Sequence, residues 1–407
     1  MGNPFSMDRR DFIRTAALGG AGLALASQLG GVASAAAGAP AAGVSEQPKS
    51  GFPYGALRPA DANGIRLPAG FTSRVVARSR RRVADTTYRW HLSPDGGACF
   101  AAPDASGDYV YVSNSETLSG SGGGASAIRF AANGKIRDAY RILRGTNANC
   151  AGGRTPWNTW LSAEEWFGGQ IWECNPFASA HGVPRPALGF FAHEAAAVDP
   201  VRKQLYLTED AGDGRLYRFT PRTYPDLSAG RLEVARVGTA VGANAPVEWI
   251  TVSKGAVGAS QPRPAGSTAF NGGEGIWRHG NAVYFTTKGD NRVWRLDVRR
   301  QMLTVVYDDD LVAGAPLRGV DNVVVNRAGE IFVAEDGGDM QLVVLRPGAI
   351  VGPVLQIVGQ DGSEITGPAF GPRGDRLYFS SQRARGVNSS GGLGTTYEIR
   401  GPFRGRI

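Results

Sequence analysis

Four stations along the chain carry residues able to do chemistry, and each stands a similar distance ahead of an aromatic. Cys150 lies 10 residues before Trp160, Glu194 12 before Tyr206, Glu274 10 before Tyr284, and the Asp321-Asn322 pair 11 before Phe332, counted from Asp321. A second set follows the aromatics: Asn114 with Glu116, Glu164 with Glu165, Glu209 with Asp210, and Glu335 with Asp336. If the earlier station opens one strand of a hairpin and the later one closes the next, antiparallel pairing brings both to the same end. Carboxylates gathered in such number repel one another, and they either take up protons or hold cations. Oxygen ligands favour hard ions such as calcium, whereas a thiolate among them suits a softer or higher-valent metal such as iron. Taken one at a time, each acid also reads as a solvated loop residue; the repeated offset favours metal.

The elements that position these residues recur. An apolar run led by an aromatic and followed by Ser, Thr or Ala occurs at Tyr111, Trp160, Tyr206, Tyr284, Phe332 and Tyr378, at spacings of 49, 46, 78, 48 and 46 residues. Short strands repeating every 40 to 50 residues mark a β-propeller, one four-stranded blade per unit. The expected fold is therefore all-β, a six-bladed β-propeller with a central metal site. It forms a single domain over 36–407, and an insertion at about 220–271 makes an excursion or lid. Residues 36–90 are expected to wrap the disc and complete the closing blade. Two sandwich domains would not demand so constant a period.

Composition agrees. Gly and Pro number 58 and 24 in 407 residues, which calls for many turns and short elements. The net charge of +8 comes from 44 basic and 36 acidic residues. Only Arg78 and Arg80 to Arg82 form a basic cluster, and no nucleic-acid-binding signature accompanies it, so no nucleic-acid partner is expected. The segment Asp8-Arg9-Arg10-Asp11-Phe12-Ile13, a weakly apolar Gly/Ala stretch and Ala33-Ser34-Ala35 form a twin-arginine export signal over 1–35. The stretch is too weakly apolar for a stable membrane span, so the export machinery is the expected partner and the periplasm or exterior the destination. Three cysteines, Cys99, Cys150 and Cys174, leave at least one unpaired there.

The run Asn149-Cys150-Ala151-Gly152-Gly153, then Thr155-Pro156-Trp157-Asn158-Thr159-Trp160-Leu161 and Glu164-Glu165, resembles the PhoX-type alkaline phosphatases. So do His193-Glu194, Thr208-Glu209-Asp210, Glu274-Gly275 and Ala334-Glu335-Asp336-Gly337, and the likeness extends from about Pro94 to Gln382. That resemblance implies a twin-arginine-exported six-bladed propeller with iron and calcium at its centre, acting on small phosphate monoesters. It implies Cys150 as an iron ligand, with Glu194, Glu274 and Glu335 holding or bridging metals. Glu164, Glu209 and Asp210 fall on the calcium side or support the ligands from behind, and Asp321 joins the metal set. The metals would polarise the phosphoryl oxygen, fix the ester for in-line attack and supply the nucleophile. Two departures stand out. The family's common Arg-Pro before Glu274 is Gly272-Gly273 here, which leaves Lys288 and Arg154 as candidates to replace the missing cation, each reading otherwise as a surface charge, and a common His is Ser115. A calcium-dependent lactone or ester hydrolase and a non-catalytic metal-binding propeller are the competing readings.

Overall fold

A computed structural model describes residues 52–179, 181–238, 244–253, 255, 261–346, 350–384 and 393–406. The expected export segment at 1–35 lies outside them. Apart from short 3-10 turns, the regular secondary structure of the described residues is all strand. Two early strands, β1 (Ile65–Arg66) and β2 (Thr72–Arg78), precede a series of antiparallel meanders. The first is β3 (Pro94–Ala101), β4 (Tyr109–Ser115), β5 (Gly124–Phe130) and β6 (Ile136–Arg144). The second is β7 (Asn149–Arg154), β8 (Trp160–Glu164), β9 (Ile171–Cys174) and β10 (Val183–Pro184). The third is β11 (His193–Asp199), β12 (Gln204–Glu209), β13 (Leu216–Thr223) and β14 (Asp226–Val237), followed by β15 (Ala245–Thr251). Next come β16 (Gly273–His279), β17 (Ala282–Thr287), β18 (Arg292–Asp297) and β19 (Met302–Asp308), then β20 (Val320–Val325), β21 (Ile331–Glu335), β22 (Gln341–Arg346) and β23 (Ile350–Ile357). The last is β24 (Ile365–Phe370), β25 (Arg376–Ser381) and β26 (Thr395–Arg400).

These strands form five sheets in a propeller-like arrangement. The nine-stranded sheet is two consecutive meanders welded at their outer edges, because β15 pairs with both β14 and β19. Within the 220–271 insertion β14 and β15 build outer strands, while 261–271 runs back toward the inner end, where Arg263 pairs with Glu209 and Asn271 O accepts from Gly289 N. On the sheet that begins with β24, the outer strand is β2, with Thr72 opposite Arg400; β1 likewise edges the sheet of β20–β23. The first strands of the meanders, β3, β7, β11, β16, β20 and β24, touch in that order and back to β3, forming a closed ring.

Every recurring aromatic lies on the second strand of its meander, and all but Tyr284 are buried. Their bulk fills the wedge between adjoining sheets: Tyr206 packs in one cluster with Phe285 and Trp294, and Phe332 with Leu377 and Phe379. Burial of such rings, worth about 1.5 to 3 kcal/mol each, explains why the aromatic period survives where loop lengths do not.

Each inner strand is interrupted at the same place. Its pairing with the second strand skips so that two residues oppose one, a β-bulge repeated in all six meanders. The bulged pairs are Asp95-Gly96, Cys150-Ala151, Glu194-Ala195, Glu274-Gly275, Asp321-Asn322 and Gly367-Pro368. The second member is mostly small because neighbouring inner strands nearly touch: a methyl group on Gly96 would fall 2.3 Å from Ala151 Cα, and one on Gly275 2.5 Å from Val323 N. The residue opposite the bulge ties one meander to the next. Asn114 Nδ2 donates to the carbonyl oxygens of Cys150 (3.1 Å) and Ala151 (2.7 Å), and the Thr208 and Thr286 hydroxyls donate to the carbonyls of Glu274 and Asp321.

Candidate metal centre

A bulge re-aims the side chain of its extra residue, and here the first bulged residue is Asp95, Cys150, Glu194, Glu274 or Asp321. The last meander has Gly367 at that place, and Glu364, one residue before β24, supplies the carboxylate instead. A second tier comes from the residue that follows each second strand: Glu116, Glu165, Asp210, Lys288, Asp336 and Gln382, with Arg383 beside the last. Nine carboxylates, one thiol and two cations therefore gather at one end of the ring.

Four groups of donor atoms lie within 4.8 Å of one another: Cys150, Glu165 and Glu194; Glu194, Glu274 and Asp321; Asp321, Asp336 and Glu364; Asp95, Glu116 and Glu364. The Cys150 thiol donates to Glu194 Oε1 at 3.4 Å. Gln382 Nε2 donates to Asp95 Oδ2 at 2.5 Å and to Glu116 Oε2 at 2.6 Å. Arg383 pairs with Glu364 (2.8 Å) and Asp336 (3.2 Å), and Lys288 Nζ with Glu274 (2.9 Å), Asp336 (3.4 Å) and Asp321 (3.7 Å).

Burial, joined by mutual repulsion, pushes Asp95, Glu165, Glu194, Glu274, Asp321 and Glu364 upward. Glu194 is raised well above the carboxylate range by burial and by Glu274, Glu165, Asp321 and Asp95. Glu165 is raised by burial, Asp210, Glu116 and Glu274. Asp321 is raised to about 6 by burial, against the pull of Lys288. The Cys150 thiol is raised by burial and by the charges of Asp95 and Glu194. A cation reverses every one of these effects. Glu194 Oε2 is the decisive atom: it is buried and has no hydrogen-bond partner. A carboxylate oxygen in that state is costly unless an ion or proton meets it, so the donor set fits a cation. A thiol within an oxygen-rich set is compatible with a transition metal at that corner and hard ions elsewhere.

The structure brings together Cys150, Glu194, Glu274, Asp321, Asp210 and Lys288 among the residues singled out from the sequence. It does not bring Glu164, Glu209 and Glu335 into the ring. Side chains alternate along a strand, so of two adjacent acids only one faces the centre, and it is the second. The first folds back into its own sheet. Glu164 accepts from the backbone N–H of Asn147 (2.9 Å) and Gln170 (3.3 Å); Glu335 accepts from those of Arg318 (3.1 Å) and Gln341 (2.8 Å), at the same chain offsets. Glu209 accepts from Arg215 N (3.0 Å) and pairs with Arg263 at 2.6 Å. Ser115, in the corresponding place of the first meander, donates to the carbonyl of Leu92 at 2.9 Å. Glu335→Ala should therefore cost about 1–3 kcal/mol of stability by orphaning buried donors, with bound metal unchanged. Thermal melts paired with elemental analysis check this, and a loss of metal would place Glu335 in the ring after all.

Arg154 closes β7 opposite Trp160, at the far end of the strand from Cys150, with its guanidinium 5.6 Å from the Phe100 ring centre. It does not meet the carboxylates. Gly272 has φ +67, and a side chain there would start 3.4 Å from Asp210 Oδ1. The loop thus favours glycine at the place where an arginine was missed. Cys99 and Cys174 are buried and unpaired, their thiols pushed up by desolvation, as expected of inert core residues. Sequence reasoning passed over Asp95, Glu364 and Arg383. A longer hairpin loop puts Asp95 16 residues before Tyr111, and Glu364 lies three residues ahead of the bulge of its meander, 14 before Tyr378, so the spacing of the other stations passes over both.

An all-β ring of meanders presenting carboxylates and a thiol at one end offers a donor set able to hold cations. The family model for alkaline phosphatase PhoX matches residues 103–174 and 168–384. The chain belongs to that family and is a phosphatase-type hydrolase. Pseudomonas fluorescens PhoX, solved in complex with vanadate as a transition-state analogue, is similar at 16% identity and a TM-score of 0.68, over 85% of this chain and 97% of that one. A gluconolactonase from Xanthomonas campestris is similar at 14% identity and a TM-score of 0.44, over 86% of this chain and 99% of that one. No curated protein matches the chain. Among the described residues, no helix is long and apolar enough to cross a membrane.

Proposed function

We propose that the chain is an exported, metal-dependent phosphomonoesterase. Its six meanders are read as six blades around a central site holding calcium and iron. The observation that carries the reading is the meeting of Cys150, Glu165 and Glu194 with an unpartnered carboxylate oxygen at the centre of a buried acidic ring. On this reading Cys150, Glu165 and Glu194 hold the transition metal. Glu274, Asp321, Asp336, Glu364, Asp95, Glu116 and Asp210 hold or surround harder ions. When bound, the ions would polarise the phosphoryl group and neutralise charge developing on it.

The protein's own part is to orient and to supply charge. Glu194 and Glu274 project from rigid bulges, so their carboxylates are set in place before substrate arrives. Arg383 and Lys288 are the cations at the mouth able to meet a phosphate oxygen, each now paired with Asp336. Gln382 fixes Asp95 and Glu116 relative to each other through its amide. The twin-arginine segment supports loading of metal before export and a periplasmic or extracellular destination. A small phosphate monoester is the substrate class, because recognition falls on the phosphate itself.

Glycine at 272 favours a second reading, a lactone or ester hydrolase, since a neutral carbonyl needs no arginine fork. The test compares an aryl phosphate and a γ-lactone with wild type and Cys150→Ser, alongside metal analysis. Phosphatase activity that falls by about 100-fold or more with loss of iron in Cys150→Ser supports the first reading. Lactonase activity without phosphatase activity supports the second, and an unaltered Cys150→Ser enzyme removes Cys150 from the site.

A further inference from the structure

The second-tier position is acidic in four of the six meanders, at Glu116, Glu165, Asp210 and Asp336, and in the fourth it is Lys288. We infer that the Lys288 ammonium is a tethered cation filling the Glu274–Asp321–Asp336 corner of the ring, so that this chain binds one divalent ion fewer than its carboxylates could hold. The inference rests on the metal-centre reading above and assigns one corner of that centre.

Three observations support it. The ammonium faces three carboxylates from two meanders, at 2.9, 3.7 and 3.4 Å, and these belong to two of the donor groups of the ring, Glu274 and Asp321 with Glu194, and Asp321 and Asp336 with Glu364, so the ammonium competes with an ion for both. Its backbone is pinned: Lys288 N donates to Gly272 O and Gly289 N to Asn271 O, which sets the side chain directly off the end of β17. The residue type also matters. Arginine is the ordinary basic residue of this chain and lysine occurs only five times in 407 residues. A compact ammonium with three donors approximates a spherical ion among carboxylates, as a planar guanidinium fork cannot. The side chain is 35% exposed, so its charge lies at the edge of the cluster, where solvent ions could reach the corner if the ammonium were removed.

The test is calcium binding by elemental analysis and by calorimetric titration with calcium chloride of wild type, Lys288→Gln and Lys288→Arg. The glutamine variant should bind about one further calcium per chain, or bind its weakest calcium about tenfold tighter, because three carboxylates then lack a counter-charge. The arginine variant should match wild type in stoichiometry. Folding of Lys288→Gln only when calcium is present would support the inference equally. Equal stoichiometry and affinity in wild type and Lys288→Gln would overturn it, as would failure of Lys288→Gln to fold even with calcium while Lys288→Arg folds. If neither wild type nor any variant binds metal, the metal-centre reading itself falls, and this inference with it.

Discussion

Glu194→Gln should lose about 10³-fold or more in kcat/KM on an aryl phosphate, together with bound metal, while keeping its fold. Glu194 belongs to two of the four donor groups, linking the Cys150 and Glu165 corner to Glu274 and Asp321. One of its oxygens accepts the Cys150 thiol and the other has no partner, so Oε2 is free to serve an ion and Oε1 becomes so once the thiol gives up its proton. Glutamine preserves shape but removes the charge and one acceptor. Glu274 is a less clean target, because its loss would also strip Lys288 of its nearest partner, at 2.9 Å. The expected signature separates a ligand from a structural residue. With metal removed, Glu194→Gln should be at least as stable as equally stripped wild type, since it relieves repulsion among buried acids. Loss of activity with unchanged metal content would instead place Glu194 beside the ions, not on them. Loss of stability in the stripped variant would mean that the carboxylate serves packing.

The second large effect is on stability, and its sign follows from the raised carboxylates. In the metal-stripped protein, Asp95, Glu165, Glu194, Glu274 and Glu364 are pushed well above the usual range by burial and by one another, and Asp321 is raised to about 6. The folded state therefore binds more protons than the unfolded chain, whose carboxylates titrate near 4. Stability is fully present below about pH 4 and falls as pH rises through the folded values, the reverse of a salt-bridged acid. Asp321 alone, raised to about 6 in the fold, accounts for a loss on the order of 3 kcal/mol as pH rises past that value. Bound cations cancel this loss and add stabilisation that grows with free ion concentration. Melting of metal-loaded and chelated protein between pH 5 and pH 8 should show a gap that widens with pH. A constant or narrowing gap would mean that the ring is not where the ions bind.

How much of this could be read from the chain depends on which physical rule governs each residue. The aromatic period is a packing rule: each blade-like unit must fill the same wedge, so Tyr111, Trp160, Tyr206, Tyr284, Phe332 and Tyr378 all appear on second strands. Cys150, Glu194, Glu274 and Asp321 were visible because all four stand 10 to 12 residues ahead of their aromatics. The all-β class and the family likeness of the Cys150 to Glu165 segment were equally local. The choice between Glu164 and Glu165, Glu209 and Asp210, or Glu335 and Asp336 was not. It depends on the phase of a period-two strand relative to a bulge, and a one-residue slip sends the side chain into the sheet instead of the ring. Only the tertiary structure sets that phase, because the bulge exists by pairing with another strand. Asp95, Glu364 and Arg383 were hidden for a related reason, since ring closure joins meanders at opposite ends of the chain. The sequence by itself thus determined the repeat, the class of chemistry and the residues whose offset is short. Folding decided which member of each acidic pair faces the ring, and it placed Lys288 where its neighbours in the ring are carboxylates. Arg154 went to the far end of its strand.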